Sequence, residues 1–380
     1  MARITRRQLL QGGGALSIGL LPGLATATAG PVAGFMQSAV AAGTVVQRPD
    51  YMIRAGTNEN PWGPSRVALK AINGAIDLSN QYGGITDEML ALMSSLENVA
   101  ADHIAIGTGS GEILKTAGMI ASMQSGSVVC ADPTYQDLVR YAGRAGSQII
   151  RVPVDEGLNI DLEAMAKAIR RDTRLVYIVN PNNPIPSIIE KDRLKSFVET
   201  ISKDRLVFVD EAYHEFVDNP EYGSMMELVR KGNRNLVVAR TASKIHGLAG
   251  LRIGFAYAHP ELITEINERK TGQINILGIK AAYASYQDEE FQNFTIRKNK
   301  ESLAIVEGMF EELGLCYVKS NANFSFFETG IPVEELNARL REEGIYSGRP
   351  FPPFLNWSRI SMAKPEEMRY YVQTYKRLFG

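Results

Sequence analysis

The pattern of apolar and polar positions divides the chain into two regions. Short β-branched runs recur at 104–107, 127–131, 148–152, 175–180, 206–210, 236–240 and 251–258. Apolar runs of that length, bounded by turn residues, predict buried strands. Between most of them, apolar residues return at helical spacing, over 112–123, 135–145, 162–171 and 190–203. Seven strands with helical crossovers predict the α/β class: a mostly parallel sheet covered by helices on both faces. Ligands of such sheets bind beyond the C-terminal ends of the strands. After residue 260 the alternation stops. A long helix is predicted over 288–313, then strands at 316–318, 324–328 and 357–361, with helices over 333–343 and 365–379. This pattern predicts a smaller α+β domain over 276–380, beside a large domain over 71–275. Segment 44–70 has no pairing partner of its own and is expected to pack on the smaller domain.

Residues 1–29 stand apart. Arg3, Arg6 and Arg7 are their only charges, 12–24 are apolar and glycine-rich, and Ala25-Thr26-Ala27 and Ala27-Thr28-Ala29 are A-x-A cleavage sites. The apolar part is too short to span a bilayer, so no stable membrane anchor is expected. A basic start, a short apolar middle and a small-residue end is the secretory layout. Thr5-Arg6-Arg7-Gln8-Leu9-Leu10 further resembles a twin-arginine export signal. That route carries folded proteins, so the expected location is the periplasm. Cleavage could fall as late as residue 41.

Composition narrows the chemistry. Lys and Arg total 41 against 42 Asp and Glu, a net charge of −1. This near-balance gives nucleic-acid binding no support. Cys130 and Cys316 are too few for a disulfide scaffold or a cysteine-built zinc cluster. Both sit in apolar, strand-like runs and are expected to be buried, unpaired small hydrophobes. The four histidines, His103, His214, His246 and His259, show no ligand spacing, so no metal site is expected. Catalysis is therefore expected from an organic cofactor or from ordinary side chains.

Five strand ends carry candidate chemistry. Gly107-Thr108-Gly109-Ser110-Gly111-Glu112 leaves a strand and opens a helix, exposing N–H groups to an anion. Its spacing does not meet the dinucleotide fingerprint. Asp132-Pro133-Thr134-Tyr135 offers an aromatic ring to a flat ligand. Asn180-Pro181-Asn182-Asn183-Pro184 offers side-chain amides, although turn residues of this kind also make plain loops. Asp210, in Val209-Asp210-Glu211-Ala212-Tyr213, puts an acid at a strand end, where it needs either a cation or a helix to cap. Lys244, in Thr241-Ala242-Ser243-Lys244, follows another strand; a desolvated lysine of this kind can form a Schiff base.

Taken in order, these positions resemble the fold-type-I pyridoxal-phosphate enzymes. Within them they resemble the class I/II aminotransferases of the histidinol-phosphate aminotransferase group. Three blocks carry the resemblance: Asn58-Glu59-Asn60-Pro61-Trp62-Gly63-Pro64-Ser65, Val209 to Tyr213, and Ser243-Lys244 through Gly247-Leu248-Ala249-Gly250-Leu251-Arg252-Ile253-Gly254. It spans about 54–379. The resemblance implies a cofactor, pyridoxal 5'-phosphate, held as a Schiff base on Lys244, which also shuttles the substrate proton. It implies that Asp210 keeps the ring nitrogen protonated, that Tyr213 and Asn183 bond the ring oxygen, and that Tyr135 stacks on the ring. Ser110, Gly111, Thr241, Ser243 and Arg252 would hold the phosphate. Tyr82 would reach the phosphate of a second subunit, since family sites are shared across a homodimer. Arg359 would clamp the substrate carboxylate, with Asn58, Asn183 and Arg349 lining the substrate pocket. The implied activity is transfer of an amino group between an amino acid, or a related primary amine, and a 2-oxo acid.

The chain also departs from the family pattern. Ile185-Pro186 stands where Thr-Gly is usual, Gly111 where an aspartate is common, and Gly83-Gly84 where Pro and an acid are usual. His246 takes the place of an aromatic and is expected to be a packed ring. These departures leave the substrate open. The same cofactor also serves racemases, decarboxylases and oxidases, and a non-catalytic cofactor-binding protein is a further alternative.

Overall fold

The structure is a computed structural model, and it describes residues 46–82 and 86–380. The expected export signal, its candidate cleavage sites and Gly83-Gly84 lie outside the described residues. The first strand, β1 (Ile53–Arg54), belongs to the far end of the chain. The seven strands expected from the sequence are all present: β2 (Ile104–Thr108), β3 (Ser127–Asp132), β4 (Gln148–Pro153), β5 (Thr173–Val179), β6 (Leu206–Asp210), β7 (Leu236–Thr241) and β8 (Ile253–Ala258). They form one sheet in the order β2-β8-β7-β6-β5-β3-β4. Only β8 runs antiparallel to its neighbours, β2 and β7. Alternate residues of each strand enter opposite cores. Val129, Val176, Val207 and Val238 face one layer of helices, while Val128, Leu175, Phe208 and Val237 face the other. Burial on both faces explains why these runs are continuously apolar.

The remaining strands are β9 (Tyr317–Val318), β10 (Phe324–Glu328), β11 (Ile345–Tyr346) and β12 (Trp357–Ser361). β12, β10 and β9 make an antiparallel sheet, and β1 pairs in parallel with β11. Phe310, Phe327, Leu336 and Tyr371 centre a separate core there. The segment before β1 is tied to the same region. The Val46 amide donates to Gln373 Oε1 (3.0 Å), and the Tyr51 hydroxyl to Glu367 Oε1 (2.6 Å).

Three expectations need correction. The domain boundary expected at 276 is not the change of core. The helix Ile276–Tyr286 packs Ile279, Ala281 and Ala282 into the core of the large sheet, beside Met89 and Phe255. It also packs on the helix Arg66–Asn73, so that helix too belongs with the large sheet. A helix apolar on most sides must be covered all round, and only the sheet layer offers that here. Strand β8 starts at Ile253, not at 251, because Arg252 adopts a left-handed backbone (φ 57°). Finally, Cys130 is buried, its thiol pushed up to about 12 by burial, but Cys316 is exposed. Cys316 precedes β9, a two-residue strand on a sheet edge, where one side of the chain faces solvent.

Candidate active site

Strands β5, β6 and β7 end at one rim, and the turns that follow them face β12. Between them lies a cleft of about 300 Å³. Every residue expected at the site lines this cleft except Tyr82. Tyr82 is 97% exposed and does not line the cleft.

Lys244 follows β7, and its Nζ donates to the Asn58 carbonyl at 3.1 Å. Nζ also lies 5.4 Å from the centre of the Tyr213 ring. Asn58 holds a left-handed backbone (φ 54°), which asparagine tolerates better than most residues. The Ser361 hydroxyl fixes its side chain by donating to Oδ1 at 2.7 Å. The side-chain amides of Asn58 and Asn183 each donate to the Tyr213 hydroxyl at 3.0 Å. Two donors aimed at one phenol oxygen leave its own hydrogen free to point into the cleft.

Arg359, on β12, spans the rim. Its Nη1 donates to Asn183 Oδ1 (2.7 Å) and its Nη2 to the Gly56 carbonyl (2.6 Å). The guanidinium lies 4.8 Å from the Phe351 ring centre and 5.6 Å from that of Phe324. Its Nε is buried without a partner, and no carboxylate among the described residues pairs with it. Burial pulls its pKa down to about 10. A half-buried cation with an unpartnered Nε and no anion has donors to spare for one. Arg349 is nearer solvent, with its guanidinium 4.3 Å from the Phe351 ring centre.

Asp210 ends β6 and is 3% exposed. Its Oδ1 accepts from the Ala212 amide at 3.1 Å. Burial pushes its pKa up to about 7, although the Ala212 amide and the Lys244 charge both pull it down. The raised pKa has a consequence for stability. Between the ordinary aspartate pKa near 4 and about 7, the folded cofactor-free chain holds a proton that the unfolded chain has lost. Stability therefore falls as pH rises through that window. Thermal melting of the cofactor-free protein is expected to fall from pH 4.5 to 7.5 more than in Asp210→Asn. Parallel melting curves for the two proteins would contradict it.

The helix Ser110–Ser122 brings its first residues, Ser110 and Gly111, to the lining of the cleft. The turn before it is crowded. A Cβ on Gly109 (φ 79°) would run into the Arg252 guanidinium, and one on Gly254 into the Ser110 amide nitrogen. Arg252 is held by its own left-handed turn, with Nη1 donating to the Ala249 carbonyl at 2.8 Å. The Thr241 hydroxyl donates to Ser243 Oγ at 2.9 Å. Helix N–H groups, hydroxyls and a guanidinium thus surround one position, an anion cradle. The Tyr135 ring borders it, and its hydroxyl donates to Asp137 Oδ2 at 3.1 Å. A flat, phosphorylated, aldehyde-bearing heterocycle fits these groups. The cradle suits an anion, Asp210 has no ion-pair partner among the described residues, and Lys244 lines the same cleft.

Residues 51–374 match the family described as aminotransferase class I and II. The chain belongs to that family. A histidinol-phosphate aminotransferase of Moorella thermoacetica is 35% identical over 296 residues, covering 77% of this chain and 76% of the relative. Histidinol-phosphate aminotransferase 1 of Nitrosococcus oceani is 32% identical over 330 residues, covering 84% and 87%. The crystal structure of histidinol-phosphate aminotransferase from Sinorhizobium meliloti in complex with pyridoxal-5'-phosphate superposes with a TM-score of 0.79 at 25% identity. It covers 86% of this chain and 92% of that one. This aminotransferase thus has the fold-type-I architecture and depends on pyridoxal phosphate.

Sequence reasoning missed Thr57, Thr134 and Phe351, which also line the cleft. Each adjoins or nearly adjoins an expected residue, so proximity was the only available signal. His246 is a packed ring, as expected. It is 1% exposed, bonded to Ser285 at 3.0 Å, and 3.9 Å from the Tyr286 ring centre, and burial pushes its pKa down to about 4. Ile185 is fully buried, and the Pro186 carbonyl accepts from the Asn321 amide and side chain, both at 3.2 Å. The unusual pair therefore anchors the loop to the second region.

Proposed function

We propose that this aminotransferase moves an amino group between an amino acid, or a related primary amine, and a 2-oxo acid through a Schiff base on Lys244. The observation that carries this reading is the convergence of a lysine amine, a buried unpaired carboxylate and an anion cradle in one cleft. Bound pyridoxal phosphate supplies an electron sink for the substrate's α-carbon. The chain's residues set that chemistry up. Lys244 Nζ would hold the cofactor and carry the substrate's α-proton. Asp210 would balance a protonated ring nitrogen, and Tyr213 would hydrogen-bond the ring oxygen. Ser110, Gly111, Thr241, Ser243 and Arg252 bind the phosphate, and Tyr135 covers the ring. Arg359 holds the substrate carboxylate, with Asn58, Asn183 and Arg349 beside it. Tyr82, exposed and not lining its own cleft, completes the cradle of a second copy in a homodimer.

The test is isotopic. A ¹⁵N-labelled amino acid and an unlabelled 2-oxo acid, incubated with the full chain, should yield a ¹⁵N-labelled amino product by mass spectrometry. Loss of the donor without label in the acceptor would favour a racemase, decarboxylase or oxidase. The donor panel should include histidinol phosphate, which the relatives' names suggest. Periplasmic export by the twin-arginine route is part of the same proposal, supported by residues 1–29. Arg6→Lys/Arg7→Lys is expected to leave the protein in the cytoplasmic fraction, and unchanged fractionation would refute it.

Arg359→Lys gives a sharper test of the clamp. An ammonium cannot make the bidentate pair of a guanidinium. Losing one charge-assisted bond of about 2 kcal/mol should raise KM for the 2-oxo acid about 30-fold. The kcat should change less. A KM within threefold of wild type would move the clamp elsewhere.

A further inference from the structure

Behind the cleft lies a buried charge cluster that the reaction does not touch. Glu211 follows Asp210 directly and is 1% exposed. Its Oε2 accepts from Arg240 Nε (3.2 Å), Arg240 Nη2 (3.0 Å) and the Ser224 hydroxyl (2.7 Å). Its Oε1 accepts from the Met225 amide at 2.7 Å. Arg240, on β7, also donates through Nη1 to Glu97 Oε1 at 2.5 Å, and it is 7% exposed. Asp210 lines the cleft while its neighbour Glu211 is turned into this cluster. Two consecutive buried carboxylates repel each other, and an unpaired buried charge is costly. Arg240 removes one of them from the balance.

We propose that Arg240 is a positioning residue for Asp210: by neutralising and anchoring Glu211 beyond the end of β6, it lets Asp210 stand ionised towards the cleft. The proposal rests on the reading of the cleft as a pyridoxal-phosphate site. Asp210 is faced by Lys244 from the turn after β7, by Tyr177 from β5, by Tyr135 and Asp137 beside the cradle, and by Glu211. Lys244 favours its charge, while Glu211 and Asp137 oppose it. Arg240 acts only through Glu211, so its effect should vanish when Glu211 loses its charge.

The experiment measures pyridoxal-phosphate affinity of the full chain by equilibrium dialysis from pH 6 to 9. Wild type, Arg240→Met, Glu211→Gln and the double variant are compared, with circular dichroism as the check on folding. Differences from wild type are read, so titration of the cofactor itself cancels. Arg240→Met should shift the midpoint of pH-dependent binding upward by about one unit and weaken binding about tenfold at pH 7. Glu211→Gln should shift the midpoint downward, and it keeps the test decisive if Arg240→Met does not fold. The double variant should return to within about threefold of wild type. A folded Arg240→Met with an unmoved midpoint, a Glu211→Gln midpoint that stays in place, or a folded double variant without recovery would each overturn the proposal. Failure of wild type itself to bind pyridoxal phosphate would instead overturn the reading of the cleft.

Discussion

Replacing Lys244 with alanine should abolish transamination and leave the fold intact. The side chain makes one hydrogen bond, to the Asn58 carbonyl, and fills the mouth of a cleft and not a core. Its removal therefore opens no cavity of consequence. Its chemical contribution is larger. A positioned proton carrier is worth about 10²–10⁴ in rate, and the covalent bond to the cofactor is lost as well. A fall in kcat of about 10²–10⁴ is expected from the proton transfer alone. Arginine should not rescue it, because a guanidinium stays charged and is a poor nucleophile. Borohydride reduction separates the covalent role from the fold. Wild type should gain the mass of the reduced cofactor on the peptide containing Lys244, and Lys244→Ala should not. Label on another lysine would move the Schiff base elsewhere.

Asp210→Asn should be nearly as damaging, for a different reason. The substitution keeps size and shape but cannot balance a positive ring nitrogen. Removing one preorganised electrostatic group from a desolvated site costs about 10²–10³ in kcat. Asp210 is buried and bonded to a single backbone amide, so little compensates for it. The loss should fall on kcat, with KM for the amino donor changed by less than about fivefold, because Asp210 is not among the proposed substrate contacts, Asn58, Asn183, Arg349 and Arg359. A loss confined to KM would mean that Asp210 binds substrate. Asp210→Glu should retain more activity than Asp210→Asn. The reverse order would remove charge from the explanation.

Much of this architecture was legible because it depends on local pattern. The seven sheet strands are apolar runs bounded by turn residues, and burial on both faces makes such runs unmistakable. Several site residues were legible because they sit at or just after a strand end or at a helix start, whereas Asn58, Tyr82, Arg349 and Arg359, the last inside β12, were implied only by the family resemblance. What the sequence hid was tertiary. Nothing in Ile53-Arg54 announces that it pairs with Ile345-Tyr346 nearly three hundred residues away. The helix Ile276–Tyr286 follows the change in pattern, yet its apolar surface carries it back to the large sheet. Cys316 read as a strand residue, but it lies just before the short edge strand β9 and is exposed. The Glu211–Arg240–Glu97 cluster was also invisible, since its members are far apart in sequence.

The central claim is that Lys244 and its cleft retain an amino group and pass it on. The most direct test is the visible absorption of the purified chain, titrated anaerobically with a panel of amino acids and amines. A donor should bleach the cofactor band to the spectrum of the aminated cofactor, and a 2-oxo acid should then restore the band. A bound cofactor whose band no donor bleaches, or whose substrate is consumed while the band persists, would contradict it.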